Sequence, residues 1–268
     1  MTRTAISGIL LGMENERPNF DIIVDREQFV NRILVPISRF SAKAVIMLEG
    51  DRLFALANLS NENTGQMFML SDIKMQNPIE NKVEMVLTGV SKMITALKAV
   101  SDEQITLHYD GTGLDYHSKR VAFRVRLSSE TVAIPFKKDK VMALKVLGTF
   151  WIGEQTLRGY ASLLAGFPNL NQMLIENRDS GIVFHNTDRG GVTDEVLDYS
   201  IEEGWLSGGP PDNFIIYNNI FRSTSLAALG NIKINIGAAF AMVISQNDAN
   251  DESAGAIRYI LPKLKEKA

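Results

Sequence analysis

The strongest indication of the fold is the stretch LTGVSKMITALKAVSDEQITLHYD, Leu87–Asp110, in which an amphipathic helix leads through a short turn into a β-strand. The 3.6-residue period of an α-helix places Met93 and Leu97 on one apolar face. Lys92 and Lys98 lie on the other face among small residues, and that face has no acid. Because the chain as a whole is acidic, this pattern indicates a surface that contacts a polyanion.

The same order of elements occurs twice along the chain. The segment FRSTSLAALGNIKINIGAAF, Phe221–Phe240, repeats the helix and strand about 130 residues later. A longer unit, a helix followed by two strands, occurs in residues 25–60 and again in residues 153–188. The sequence therefore predicts an α+β protein of two tandem similar domains: domain 1 at residues 1–127 with an N-terminal extension at 1–19, an interdomain connector at 128–140, and domain 2 at 141–268.

Local signals refine this division. Hydrophobic periodicity predicts four helices, at residues 25–41, 90–100, 154–165 and 217–229. Pro36 lacks a backbone N–H and is expected to kink or shorten the first helix. The segments Glu49–Asp51 and Asp110–Gly113 predict hairpin turns between short strands.

Basic charge is concentrated on the predicted helices. They carry seven bases and three acids, a net charge of +4, whereas the whole chain has −3. The acids Asp25, Glu27 and Glu154 all stand at helix N-termini, where the helix dipole favours negative charge. One interpretation is a solvated surface, and the other is a shared basic wall that contacts nucleic-acid phosphates. Such non-specific contact has a Kd of roughly 10⁻⁴ to 10⁻⁶ M, which suits a protein held on DNA by topology.

Composition and motifs argue against several other classes. The chain of 268 residues has no cysteine, which excludes disulfides, thiol catalysis and zinc–thiolate sites. No apolar run approaches 18 residues, so we expect a soluble, intracellular protein without a membrane span. We find no P-loop, dinucleotide-binding fingerprint or nucleophile elbow, and predict no enzyme, no catalytic or metal-binding residues and no cofactor.

The histidines were weighed as candidate functional residues. His108 and His117 flank a predicted hairpin, where Asp110 or Asp115 could complete a metal site, but surface histidines are the preferred interpretation. His185 lies near an aspartate without any serine nucleophile arrangement.

Four segments resemble the sliding clamps of DNA replication, of the proliferating cell nuclear antigen type. Leu87–Asp110 resembles the second helix and following strand of the first clamp domain, and SETVAIPF, residues 129–136, resembles the interdomain connector. ENRDSGIVFHN, residues 176–186, resembles a hairpin of the second domain. GAIRYILPKLK, residues 255–265, resembles the last strand and the tail. The resemblance covers residues 20 to 265 in matching element order.

This resemblance implies a ring of six similar domains around duplex DNA, with helices lining the hole and antiparallel sheets outside. Two domains per chain imply a homotrimer. The implied partners are double-stranded DNA bound without sequence preference, a DNA polymerase and a clamp-loading ATPase, and the implied setting is the cytoplasm of a bacterial host if a phage encodes the chain. The expected DNA-facing residues are Arg32, Arg39, Lys92, Lys98, Arg158 and Arg222.

Two further sites follow from the resemblance. Strands at residues 120–127 and 194–201 are expected to pair between subunits through opposite charges, namely Arg120, Arg124, Arg126, Asp194, Glu195 and Asp198. A partner-peptide pocket beside the connector is expected to contain Leu59, Ile134, Pro135, Phe136, Ile260, Leu261 and Pro262, with Leu264 as a further candidate. The alternatives are a monomeric or heteromeric-ring processivity or checkpoint subunit, a viral β-rich assembly protein without a DNA role, and an unrecognised hydrolase.

Overall fold

The computed structural model describes residues 19–39, 41–59, 67–129, 138–178, 181–202, 205–222, 230–245 and 256–264. The helical segments within them are α1 (Arg26–Gln28), a π-helix (Phe29–Leu34), α2 (Val35–Ser38), α3 (Val90–Lys98), α4 (Lys138–Met142), α5 (Glu154–Ala165) and a 3₁₀ helix (Asn219–Arg222). The strands are β1 (Phe20–Asp25), β2 (Lys43–Asn58), β3 (Phe68–Thr88), β4 (Gln104–Tyr109), β5 (Gly113–His117), β6 (Ala122–Ser128), β7 (Gly148–Ile152), β8 (Gln172–Arg178), β9 (Gly181–Thr187), β10 (Leu197–Ile201), β11 (Trp205–Gly208), β12 (Ile215–Tyr217), β13 (Ile232–Ile236), β14 (Phe240–Ser245) and β15 (Arg258–Pro262).

The strands form two antiparallel sheets. The larger sheet has the order β1-β4-β5-β6-β3-β15-β14-β13-β7-β11, with β2 paired to β3, and the smaller has the order β10-β9-β8-β12. The first half of the chain pairs β1–β4–β5–β6, and the second half pairs β7–β13–β14–β15 in the same way. The α+β class and the two similar halves are therefore confirmed, whereas the domain boundaries stay a prediction.

Alternation along the strands separates two apolar layers. In β14, Ala241 and Val243 enter the main core, which also receives the buried faces of the helices. Phe240 and Met242 point to the other side of the sheet and join a smaller apolar group. A strand that is apolar on both faces must be covered on both. The buried residues of the π-helix, α2, α3, α5 and the 3₁₀ helix therefore lie on one side of the sheet, and α4 lies on the opposite side, in the second covered layer.

Gly50 bends a long strand rather than closing a hairpin, which corrects the predicted turn at Glu49–Asp51. Strand β2 pairs with β3 both before and after Gly50, and the register shifts on each side of it. Gly50 has φ 60°, a conformation that a residue without Cβ adopts without strain. The second predicted turn is confirmed, because Tyr109 pairs with Leu114 across the β4–β5 hairpin.

Pro36 does not break the first helical segment. The turn before it is a π-helix, and the Val35 N–H donates to the carbonyl of Val30, five residues earlier. The carbonyl of Arg32, four residues before Pro36, lacks the usual helical donor. The Ser71 hydroxyl on β3 donates to this carbonyl at 2.7 Å, and the Ser71 residue is fully buried. A neighbouring strand thus supplies the donor that proline removes.

We expect Ser71→Ala to lower the free energy of unfolding by about 1 kcal/mol, because it removes the hydrogen bond that the buried Ser71 hydroxyl donates to the Arg32 carbonyl. Urea unfolding of the purified chain measures the change. Ser101→Ala is the control, since Ser101 is exposed after α3 and its replacement should stay within about 0.5 kcal/mol of the parent. Equal stability of the two variants would show that the Ser71 bond is not needed.

The two halves meet through a strand pairing and a buried ion pair. Strand β15 pairs with the first part of β3, with Arg258 opposite Leu70. The Arg258 guanidinium lies 3.0 Å from the carboxylate of Asp72, which is 2% exposed and also pairs with Arg52. Because a buried carboxylate is costly without cations beside it, this pairing makes the joint between the halves specific.

Candidate functional site

The exposed sides of α3 and α5 carry the basic residues expected to contact DNA. On α3, Met93 and Leu97 are buried, while Lys92 and Lys98 are exposed on the opposite side. On α5, the Arg158 side chain is 60% exposed and donates to the Glu154 carboxylate at 2.6 Å, one helical turn earlier. Such an exposed pair contributes only about 0.3–0.5 kcal/mol, so a phosphate can compete for Arg158.

The first helical segment presents fewer free bases than expected. Arg39 is exposed at its end. Arg32 is half-buried within the π-helix, and its carbonyl accepts the Ser71 hydroxyl. The structure therefore leaves Arg39 as the better-placed base of this segment for contact with a ligand.

Arg222 has a structural role instead of the expected DNA-facing one. Its guanidinium donates to the carbonyls of Leu164, Phe167 and Leu170, at the C-terminal end of α5 and in the turn that follows. The carbonyls of Leu164 and Phe167 also accept the N–H groups three residues later, and that of Leu170 accepts the Asn218 amide, so the guanidinium adds a second, charged donor to each. Burial lowers the pKa of the Arg222 guanidinium, yet arginine stays charged at neutral pH. The remainder of the predicted fourth helix, residues 223–229, lies outside the described residues.

A buried cluster of polar side chains contacts the same turn as Arg222. The Tyr160 hydroxyl donates to the Asn186 side-chain oxygen at 2.7 Å, and the Asn218 amide donates to the same oxygen at 2.9 Å. Asn218 also donates to the carbonyl of Leu170, which Arg222 contacts. Burial raises the pKa of Tyr160, so this hydroxyl stays protonated and can donate at neutral pH.

Strand β6 has an unpaired edge in the described part of the chain. The Leu127 N–H donates towards β5, to the carbonyl of Thr112. Because peptide groups alternate sides along a strand, those of Ala122 and Arg124 face away from β5. Only Leu127 and Ser128, at the end of β6, pair with β3 on this far side. The N-terminal half of β6 is therefore open to a further strand.

Strand β10 provides a second open edge, since it ends the smaller sheet and pairs only with β9 within the described residues. The strand pairs show which residues of the two halves correspond to each other. Ser200 on β10 pairs with Val183, just as Asp72 on β3 pairs with Phe54. Strand β10 is therefore the counterpart of the first part of β3, and β6 is the counterpart of β15.

Two of the charges expected between subunits already have partners in their own chain. The Arg124 guanidinium contacts Asp115 and lies 2.7 Å from Asp110. The Asp198 carboxylate accepts hydrogen bonds from Arg178 at 2.7 Å and lies 2.6 Å from His185.

These contacts lower the pKa of Asp110 and of Asp198, and they weaken the expectation that Arg124 and Asp198 pair across subunits. The hydrogen bond from Arg124 holds the pKa of Asp110 well below its ordinary value. The hydrogen bond from Arg178, helped by His185, lowers the pKa of Asp198. The expectation that Arg124 and Asp198 act mainly on a neighbouring subunit is thus corrected, because each charge is compensated locally.

The remaining predicted edge charges are exposed, but three of the four lie off the strands. Arg126 is on β6. Arg120 precedes β6, and Asp194 and Glu195 precede β10, so the predicted strand ranges are two or three residues too long at their starts. These charges can steer a neighbour's approach more readily than they can fix the pairing register.

The predicted peptide pocket is divided between two layers. Leu59 and Leu261 belong to the main core, which corrects their assignment to an outer pocket. Ile260 belongs to an apolar group on the opposite face, here called the outer cluster, which consists of Met47, Leu56, Leu70, Val141, Phe240, Met242 and Ile260. Pro262 and Leu264 are half-buried near the chain's described end, and Ile134, Pro135 and Phe136 lie outside the described residues.

Sequence reasoning missed most of the outer cluster. Its members alternate with main-core residues along the same strands, so FAMVIS, Phe240–Ser245, is apolar on both faces. A continuous apolar run of this kind indicates a strand covered on both sides, and that signal was available in the sequence. The element that provides the outer cover, α4, could not be located from its five residues alone.

The histidines have ordinary structural partners. His108 lies 2.8 Å from the Asp21 carboxylate, and the hairpin register places it opposite Asp115 rather than beside His117. Asp188 accepts the N–H groups of a tight loop instead of contacting His185. Within the described ranges, no three metal-ligating side chains group together, and no helix is long and apolar enough to cross a membrane.

Comparison of the whole chain with known proteins gives a fold but no sequence relative. No protein-family profile and no curated protein sequence matches. Solved structures do match. One chain of the PCNA2–PCNA3 complex from Sulfolobus tokodaii has a TM-score of 0.63 at 11% identity, over 91% of this chain and 99% of that one. The A. fulgidus PCNA bound to the C-terminal region of FEN-1 has 0.62 at 12% identity, over 92% and 99%.

A bacterial clamp matches over a smaller share of its own length. The DNA polymerase III subunit beta from Pseudomonas aeruginosa has a TM-score of 0.69 at 10% identity, over 99% of this chain and 69% of that one. The chain therefore has the sliding-clamp fold, as the resemblance of its four segments implied. At these identities the likeness establishes the fold alone.

Proposed function

We propose that three copies of this chain close head to tail into a ring around duplex DNA and act as a sliding clamp that tethers a DNA polymerase. The observation that carries the proposal is the joint between the two halves, where β15 pairs with the first part of β3. Their counterparts β6 and β10 are open edges in the described chain. The same joint repeated between chains uses both edges, and closing a ring removes them.

The pairing of β15 with β3 within the chain also predicts which residues lie opposite each other between chains. Arg258 lies opposite Leu70 in the internal joint. Their counterparts by strand pairing are Ala122 and Asp198, so we propose that these two residues lie opposite each other across subunits. Six such joints, three within chains and three between them, make a closed six-domain ring.

The joint between chains would be the weaker one. The internal joint contains the buried pair of Arg258 with Asp72, whereas the counterpart positions hold Ala122 and Ser200. Without a buried ion pair, the backbone hydrogen bonds between β6 and β10 and the exposed charges beside these strands hold the chains together. A ring that must be opened to admit DNA benefits from such a joint, and we propose that a clamp-loading ATPase opens it.

The basic helix faces suit the inside of this ring. The helical segments other than α4 lie on the side of the larger sheet opposite the outer cluster. We propose that their exposed bases contact the DNA: Arg39, Lys92, Lys98 and Arg158, with the half-buried Arg32 at the margin. Contacts of this kind are independent of sequence and fall away with salt. Weak contacts allow sliding, while the closed ring prevents dissociation.

Retention on circular DNA tests the proposal. Chains diluted until they dissociate are concentrated again with nicked circular plasmid and washed in high salt, which removes non-topological binding. We expect retained protein to be released when a restriction enzyme linearises the plasmid. Release by salt alone, or no retention by a protein that forms trimers, would contradict the clamp. A single chain that forms no trimer would favour a heteromeric ring, as in the complex of PCNA2 with PCNA3.

Charge-reversal variants distinguish ring formation from DNA binding by the helix lysines. We expect Lys92→Glu with Lys98→Glu to leave the oligomer intact and to weaken low-salt binding to linear duplex about tenfold or more, because two phosphate contacts become repulsive. Fluorescence anisotropy with a labelled duplex measures the change. Lys82→Glu with Lys145→Glu is the matched control, since both lysines are exposed and stand outside the helices, on β3 and between α4 and β7. Equal weakening by both pairs would remove the helices from the DNA-binding surface.

A further inference from the structure

The helical segments other than α4 differ in charge between the two halves of the chain. In the first half, α1, the π-helix, α2 and α3 with their capping residues carry five bases and two acids, a net charge of +3. In the second half, α5 and the 3₁₀ helix carry two bases and one acid, a net charge of +1. Residues 223–229, the remainder of the predicted fourth helix, contain no charged residue. The two halves therefore do not contribute equally to a basic surface.

The first half keeps three exposed bases on this surface. Arg39, at the end of α2, and Lys92 and Lys98, on α3, are exposed, and none of the three forms an ion pair within the described ranges. The acid Asp25 is engaged elsewhere, because its carboxylate accepts the Gln28 N–H as the cap of α1. The three bases can therefore contact phosphates without first breaking an ion pair.

The second half offers no such base among its described helical residues. The Arg158 guanidinium donates to the Glu154 carboxylate through Nε at 2.8 Å and through Nη2 at 2.6 Å. Arg222 donates to three carbonyls at the end of α5 and in the turn after it. The Glu154 side chain is 47% exposed, so a phosphate that approaches Arg158 meets this carboxylate as well. The exposed side of α5 is therefore nearly neutral.

We infer that the first half of each chain carries the contacts with duplex DNA, and that Glu154 keeps the second half nearly neutral by pairing with Arg158. The inference rests on the proposed function, because it describes the inner surface of the ring. In that ring, three basic arcs, each formed by the first half of one chain, alternate with three nearly neutral arcs. Glu154 acts on DNA only through Arg158, and it limits the binding that the lining provides.

Glu154→Gln tests this role by a gain of binding. The variant removes the competing carboxylate and keeps a side chain of the same shape, so we expect low-salt binding to linear duplex to tighten about twofold to fivefold. The slope of log affinity against log salt concentration should steepen by about 0.9 for each Arg158 that gains a phosphate. Fluorescence anisotropy at several salt concentrations measures both. Unchanged affinity and slope would overturn the inference.

Glu84→Gln is the matched control for this variant. Glu84 forms an exposed ion pair with Lys82 at 3.2 Å, but on β3 rather than on a helix. We expect Glu84→Gln to bind DNA as the parent does, because the lysine that it frees does not belong to the helical surface. Equal tightening by the two variants would reveal a general effect of net charge and would also overturn the inference.

Single thiols test which half lies against the DNA. The chain contains no cysteine, so Thr95→Cys on α3 and Ser162→Cys on α5 each introduce one thiol at an exposed helical position. Each thiol is modified with an aryl azide and irradiated with linear duplex at low salt. We expect Thr95→Cys to crosslink about threefold or more efficiently, because the free bases hold the phosphates beside α3. Equal yields, or a higher yield from Ser162→Cys, would contradict the assignment of the contacts to the first half.

The measurements separate this inference from the proposed function. Binding and crosslinking use linear duplex, so they do not require a closed ring. Failure of the ring appears in the mass of the assembly and in the retention on circular DNA, and it leaves the crosslink ratio and the gain from Glu154→Gln in place. Failure of the inference leaves the mass and the retention as proposed, and appears in the crosslink ratio and the Glu154→Gln measurement.

Discussion

In the proposed ring, Ala122→Pro is expected to convert a trimer of three times 29.7 kDa into single chains of 29.7 kDa at micromolar concentration. The peptide N–H of Ala122 faces the open edge of β6 and has no partner in its own chain among the described residues. Proline at the first residue of an edge strand is tolerated within a chain. It removes one hydrogen bond from the joint with β10 of the neighbour and places its ring in the way.

The size of the effect follows from the weakness of that joint. Losing the bond and straining the ladder costs about 2–3 kcal/mol per joint, which is roughly 30- to 150-fold in association, and a ring needs three joints. No buried ion pair compensates, since the counterparts of Arg258 and Asp72 are Ala122 and Ser200. Light scattering measures the mass directly.

Ala122→Thr is the matched control, because threonine keeps the N–H and favours a strand. We expect it to remain trimeric, and both variants to unfold at the parent's denaturant midpoint when measured as dilute single chains. A trimer that survives Ala122→Pro would show that β6 does not form the subunit joint. The interface would then have to lie elsewhere on the molecule.

The second large effect is expected for Arg222→Met, at about 3–5 kcal/mol of lost stability. The variant keeps the bulk of the side chain but removes the three charged hydrogen bonds to the carbonyls of Leu164, Phe167 and Leu170. Each charged hydrogen bond contributes about 1.5–3 kcal/mol. Because losses at one group are not additive, the total is smaller than the sum. Urea unfolding of dilute single chains measures it.

Arg158→Met is the control for this variant, since both are arginines that the sequence placed on the same basic surface. Arg158 has only the exposed pair with Glu154, so we expect a loss of at most about 0.5 kcal/mol. In DNA binding the order should reverse, with Arg158→Met weakening low-salt binding and Arg222→Met, where folded, leaving it near the parent's. Similar stability for the two variants would contradict the assignment of Arg222 as a helix-terminating residue.

Some elements could be predicted from the sequence because their signals are local. The predicted helix at residues 154–165 agrees with α5, and the helix at 90–100 ends two residues late. The hairpin between Tyr109 and Leu114 depends on turn residues that act within a few positions. The repetition of element order predicted two similar halves for the same reason, since each unit carries its own periodicity.

Other elements depended on residues far away in the chain. Pro36 alone predicts a kink, yet a donor from Ser71 on another strand sustains the helical path. Gly50 alone predicts a reversal, yet both parts of β2 find the same partner strand, so the chain only bends. In each case the outcome is set by a contact that local sequence does not encode.

The candidate site contains residues whose exposure the local sequence predicts and residues whose contacts it does not predict. Lys92, Lys98 and Arg158 are exposed as their helical positions required. Arg222 looked equivalent in sequence, but the end of α5 provides carbonyls that attract its guanidinium. Arg124 looked like a charge for a neighbouring chain, but the hairpin beside it supplies two carboxylates. A charged residue's sign and spacing are local properties, whereas its partner depends on tertiary packing.

By itself, the sequence determined the α+β class, the doubled arrangement of helices and strands, and the segregation of basic charge onto helices, because periodicity and charge act over one or two turns of chain. The tertiary structure alone decided which arginines are free, which strand edges stay open and which apolar face α4 covers. These depend on hydrogen-bond partners and burial between residues far apart in the chain. Such partners are fixed only when the chain folds.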